Sequence, residues 1–378
     1  MHKFRCTLAC TLALVLAAGS GAITAADGPL SAVPRFAAQI TFGDDSSDVG
    51  THAVSSIAAG GGGKYTINGD GTTLHPELNG KTWTEMMAPV FGLPAPCPAQ
   101  TGMQGDPALG LSVPVVNYPW CYGYAQGGAR VLDPAGPGSA AAGSPLGQLA
   151  VPVASQVANH LAVAGGRFQG NEIVFVSAGF NDVLVQWERL AVGANQAALG
   201  APGNPSQAIS DYLLVNAGFA ITLAGNAGND LASLVRQQIV GNGANYVVVN
   251  NLPDMAGTPG GMAQPPQVRA LVQTMVDTFN RALVAGLAAE PKVLLVDVNF
   301  LTRDETFNPA FYALSNTTAP ACAPNAFGEN SLTCNVFNTQ PGVDVSHYLF
   351  ADSLHPTPYA QWLIARQVVW AMQYKGWL

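Results

Sequence analysis

The sequence predicts an α/β protein, a parallel sheet covered by helices on both faces. Three observations predict it: four short apolar runs, helical patterns spaced between and after them, and no linker-like stretch that would separate two cores.

The chain begins with Lys3 and Arg5, an apolar run over residues 8–18, and small residues through Ala22, Ala25 and Ala26. That order is a Sec-type signal peptide, expected as residues 1–25, with one domain over 26–378. The run is shorter than the roughly 18 residues a bilayer span needs, so no membrane anchor is expected and the mature chain is read as secreted or periplasmic. Cys6 and Cys10 leave with the signal. Cys97, Cys121, Cys322 and Cys334 then face an oxidising compartment, and sequence proximity favours Cys97 with Cys121 and Cys322 with Cys334.

Strands are expected over residues 39–42, 172–177, 246–250 and 293–298, whose Val, Ile, Leu and Phe content suits burial on both faces. Helices are expected over 82–91, 149–163, 208–240, 266–289 and 358–374. The last is the best marked, with Thr357 to cap it and Pro358 in its first turn. Residues 60–71, 102–114, 133–145 and 194–205 are rich in Gly, Pro and Ala and read as connections. One residue in ten is charged and the net charge is −8, with no basic cluster. Nucleic acid and anionic membrane surfaces are therefore poor partners for this chain.

Four stretches carry residue types suited to chemistry. In Asp352-Ser353-Leu354-His355-Pro356-Thr357 the carboxylate stands three residues before the imidazole on a loop entering a helix. It is placed to accept the Nδ1–H and leave Nε2 as a general base, although this spacing is common in loops. Gly179-Phe180-Asn181-Asp182 follows a strand, where open α/β sheets place ligands and an Asn amide can donate to an oxyanion. Gly127-Gly128-Ala129 allows close approach of a backbone N–H, or is simply a turn. Phe42-Gly43-Asp44-Asp45-Ser46-Ser47-Asp48-Val49-Gly50 ends the first strand. Trp120, Tyr122 and Tyr124 are either an apolar subsite or packed core.

In order and spacing, these four blocks resemble those of the GDSL or SGNH hydrolases, bacterial secreted esterases and lipases. The resemblance spans essentially the whole mature chain. It implies a flavodoxin-like three-layer α/β/α sandwich and hydrolysis of carboxylic esters through an acyl-enzyme. It also implies His355 as general base, Asp352 orienting it, and an oxyanion hole from the Gly128 N–H and the Asn181 amide. No metal or organic cofactor is implied, and the partner would be a small-molecule or lipid ester.

Two positions depart from the family pattern. The asparagine of its second block aligns near Gly123, and the gapless register of the first block puts Asp45 where the nucleophilic serine belongs. Ser46 is one position late, which points its side chain elsewhere. A carboxylate is a poor acyl-transfer nucleophile, and an anion beside the hole takes the donors meant for the developing oxyanion. Asp44, Asp45 and Asp48 also read as a D-D-x-x-D metal cluster, but that motif belongs on a helix and here it ends a strand. Two functions stay open: an ester hydrolase with reduced or lost activity, and a catalytically silent protein that holds an acyl chain or glycan in the same cleft.

Overall fold

The structure is a computed structural model that describes residues 33–69, 80–325 and 330–378. The expected signal peptide over residues 1–25 lies outside them. The strands are β1 (Gln39–Gly43), β2 (Gln100–Gln104), β3 (Ser112–Asn117), β4 (Ile173–Ser177), β5 (Tyr246–Asn250), β6 (Val293–Val296), β7 (Asn316–Pro320) and β8 (Tyr348–Phe350). The helices are α1 (Ser55–Ala59), α2 (Trp83–Met87), α3 (Val153–Val163), α4 (Phe180–Gly200), α5 (Pro205–Leu234), α6 (Pro259–Met262), α7 (Pro266–Leu287), α8 (Val298–Phe307) and α9 (Pro358–Lys375).

The central sheet has the order β1-β4-β5-β6 and is parallel throughout, with Gly43, Ser177, Asn250 and Val296 in one row across its carboxyl edge. Alternation sends successive side chains to opposite faces. Ile40, Phe42, Val174, Val176, Val247 and Val249 pack with Val157, Val183, Leu231 and Phe279 of α3, α4, α5 and α7. Ile173, Phe175, Val248 and Val296 pack with Trp83, Leu301, Leu363 and Val368 of α2, α8 and α9. The expected three-layer α/β/α fold is therefore present.

Several elements differ from the sequence reading, which expected no helix over 180–200 or 298–307. Residues 194–205, read as a connection, hold the last turns of α4 and the start of α5. In α4, Val183, Leu184, Trp187, Leu190 and Ala194 are buried at helical spacing, and that stripe continues the helix through neutral residues. Within 102–114 lie parts of β2 and β3, an antiparallel pair. β6, expected over 293–298, stops at Val296 because Asp297 caps α8, its side chain accepting from the Phe300 N–H. In α9, Thr357 accepts from the Ala360 N–H and Pro358 occupies the first turn, as the sequence indicated. Cys97–Cys121 and Cys322–Cys334 are both paired, with Cα separations of 5.1 and 5.9 Å. Paired cysteines are characteristic of an extracellular or periplasmic protein.

Candidate functional site

β1 ends at Gly43 with φ +152°, where a Cβ would lie 2.0 Å from the Ser177 carbonyl oxygen of β4. Only glycine lets the chain leave the sheet this closely. It then enters a single 3₁₀ turn, Asp45–Ser47. The three acidic side chains beside this turn diverge. Asp44 accepts from the Phe180 N–H at the start of α4 (3.3 Å), and Asp48 accepts from the N–H groups of Gly50, Thr51 and Gly127. Burial, followed by the charge of Asp45, pushes the Asp44 carboxyl well above its ordinary range.

Asp45 points into the site. One carboxylate oxygen accepts from the Gly128 N–H (3.2 Å) and the other from Asn181 Nδ2 (2.5 Å), while His355 Nε2 lies 3.5 Å from the first. Burial alone would raise this acid, but hydrogen bonding and charge from His355, with the Asn181 amide, outweigh it and hold Asp45 below its ordinary value. The two donors are brought together by α4. Gly179 opens the helix at φ +105°, where a Cβ would strike the Phe279 ring, and Asn181 follows in the first turn. The next residue, Asp182, accepts from the Val131 N–H (2.9 Å) and Arg130 Nε (3.1 Å), which ties the Gly128 loop to α4. Asn181 Nδ2 also donates to the Ala129 carbonyl (3.1 Å).

His355 and Asp352 form the remaining side. Nδ1 of His355 lies 2.7 Å from an Asp352 oxygen, and Asp352 also accepts from the N–H groups of Ser331, Leu354 and His355. These contacts, with the His355 charge, overcome burial and bring Asp352 down to about 2. Burial disfavours the imidazolium, but Asp352 and then Asp45 win and raise His355 to about 10. The imidazole is therefore protonated at neutral pH. The Tyr65 ring lies beside it at 5.1 Å between centroids.

Ser46 lines the same cleft, and its carbonyl accepts from Gln361 Nε2 (3.3 Å); among the described residues its hydroxyl makes no hydrogen bond to His355. Trp120, Tyr122 and Tyr124 do not line this cleft. Trp120 is exposed, and Tyr124 is core, stacked on Phe42 at 5.4 Å and paired with His160 at 3.3 Å. Gly123 serves instead in backbone pairing, its N–H donating to the Cys97 carbonyl.

From Asp45 and His355 a narrow cleft of about 70 Å³ runs along the carboxyl edge of the sheet. Phe180, Leu252, Val298, Leu349, Phe350 and Ile364 form its apolar walls. Asn250 Oδ1 and Glu305 Oε1 also lie on it, buried and without a hydrogen-bond partner among the described residues. Sequence reasoning passed over Tyr65, Ser331, Asn250 and Glu305. Asn250 carried one signal, its place at the carboxyl end of an expected strand, whereas Tyr65, Ser331 and Glu305 reach the site from segments without a local motif.

No family model matches the chain. Over 78 residues it is 38% identical to "Lipase 1" of Photorhabdus luminescens, a match covering 20% of this chain and 11% of that protein. Over 127 residues it is 34% identical to "Esterase EstA" of Pseudomonas aeruginosa and of Pseudomonas putida, covering 32% of this chain and 19% of each esterase. The matched stretches thus span a fifth or less of these relatives. At that coarse level the likeness is to esterases and lipases, hydrolases of carboxylic esters.

Proposed function

We propose that this chain is an SGNH-type ester hydrolase in which Asp45 stands at the nucleophile position and keeps the site occluded. One observation carries the reading: the Gly128 N–H and the Asn181 amide, the donors that an acyl-transfer oxyanion would need, both bind the Asp45 carboxylate. In this reading Asp352 orients His355, and the cleft takes the acyl or alcohol part of a small-molecule or lipid ester. A hydrogen bond to a charged group contributes about 1.5–3 kcal/mol, and one oxyanion donor is worth about 2.7–4 kcal/mol in a transition state. Donors already held by a carboxylate therefore have little left for a developing oxyanion. Attack by the carboxylate itself would give a mixed anhydride, a far less favourable intermediate than an acyl-serine.

The second reading, a silent protein that binds an acyl chain, is favoured by the apolar cleft beside the site. The two separate on Asp45→Ser. If the site is a blocked hydrolase, the natural chain hydrolyses a p-nitrophenyl ester very slowly and is not labelled by an active-serine phosphonate. Asp45→Ser then gains turnover by orders of magnitude and is labelled at residue 45, since loss of a nucleophile leaves only about 10³–10⁴ over water. Absence of both gains in a folded Asp45→Ser variant would favour the binding protein.

A further inference from the structure

We infer that the far end of the α4–α5 hairpin inserts into a neutral lipid surface, on the side of the molecule that carries the cleft. The helix Pro205–Val240, made of α5 and a final π turn, is 36 residues long, about 54 Å at 1.5 Å per residue. β5, which follows it, spans about 17 Å. The helix therefore overhangs the sheet, and the packing tells at which end. A Cβ on Gly228 would meet the Phe279 carbonyl of α7 at 2.4 Å, and the Phe279 ring fills the space beside Gly179, where β4 gives way to α4. The next residue, Asn280, exchanges hydrogen bonds with the backbone of Leu252 just past β5. Gly228 thus lies level with the carboxyl edge, and residues 205–227 of α5 extend beyond it, by roughly 35 Å.

α4 starts at that edge and pairs with the overhanging part, the Tyr212 ring seated over Gly193 and its hydroxyl donating to the Arg189 carbonyl. The base of this hairpin carries Asp182, Glu188, Arg189 and Asp230, but its far part differs in composition from the rest of the chain. One residue in ten is charged overall, so residues 190–229 would carry about four charges at that density. They carry one, Asp211, which accepts from Gln207 Nε2. Leu214, Val215 and Phe219 on α5 are 84%, 79% and 62% exposed, on the side away from buried Leu213, Ala220 and Ala224. Val192 and Leu199 add exposed apolar surface on α4. Large apolar side chains on a nearly uncharged projection suit the headgroup and acyl boundary of a bilayer. The near absence of Lys and Arg specifies insertion by apolar area rather than attraction to anionic lipid.

The test uses the full chain and vesicles of phosphatidylcholine. The natural protein sediments with them equally at low and high salt, and Leu214→Asp with Phe219→Asp weakens the partitioning by at least about tenfold. Both side chains are exposed, so the thermal midpoint and near-ultraviolet dichroism stay unchanged in that variant. Phe219→Trp supplies a second readout, a blue shift on adding vesicles and quenching by brominated lipid. Equal partitioning of the double variant with no blue shift overturns the inference, as does binding that requires anionic lipid and fails in salt. A dimer in light scattering that the double variant splits, without vesicle binding by the natural chain, assigns the surface to a second copy and also overturns it.

Discussion

His355 and Asp45 face each other at 3.5 Å between Nε2 and a carboxylate oxygen, so the ring nitrogen that a general base would use is engaged by an anion. With Asp352 on Nδ1, the imidazole lies between two carboxylates. This arrangement stabilises imidazolium, the opposite of what proton abstraction from a serine requires.

The charge state of His355 is directly measurable. Nitrogen-15 shifts of the ring should report imidazolium through neutral pH, with a midpoint near 10. Because Asp45 helps to raise this value, Asp45→Ser should lower the midpoint and return a share of neutral imidazole. A neutral ring at pH 7 in the natural chain would contradict the ion pair.

The same pair sets a pH window for stability. The His355 contribution is complete below the ordinary value of 6.5 and is lost as pH rises through about 10. Asp45 and Asp352 are lowered, so their contributions are present above 3.8 and lost as pH falls through their depressed values, about 2 for Asp352. Thermal midpoints of the natural chain and Asp45→Asn should therefore differ most between about pH 4 and 6.5 and converge on either side. A difference that does not vary with pH would refute this assignment.

Ser46 provides a control on the nucleophile. Since its hydroxyl makes no hydrogen bond to His355 among the described residues, Ser46→Ala should leave the hydrolysis rate of Asp45→Ser within about threefold, under 1 kcal/mol of barrier. If Ser46→Ala abolishes activity already substantial in the natural chain, the nucleophile is Ser46 and Asp45 does not block the site.

Glu305 tests the deep end of the cleft. Burial, opposed only in part by the Arg366 charge, holds its carboxyl well above the ordinary 4.5. The folded chain therefore keeps a proton that the unfolded chain releases, so stability falls as pH rises above 4.5 toward the folded value. Glu305→Gln should remove that slope and melt progressively higher than the natural chain as pH rises above 4.5. Parallel melting curves across this range would place an ionised Glu305 in the fold.

The layered fold was legible in the sequence because strands buried on both faces must be continuously apolar, and those at 172–177 and 246–250 are flanked by helical patterns of sufficient length. The disulfide pairing was legible too, since sequence proximity favours local pairs among cysteines facing an oxidising compartment. The last turns of α4 and the end of β6 were harder: the neutral stretch after Leu190 carries no stop signal, and Asp297 acts as a cap only when the strand has ended. By itself the sequence put an aspartate in register at residue 45 and an Asp-His pair at 352 and 355. Only the tertiary structure decided what that aspartate does. Its partners lie 83, 136 and 310 residues away, and no local pattern encodes which donors will converge on a carboxylate once Gly43, Gly128 and Gly179 let their segments approach. The same holds for the overhang of α5: its length and neutrality are in the sequence, but the level at which it crosses the sheet edge depends on how Gly228 seats against Phe279.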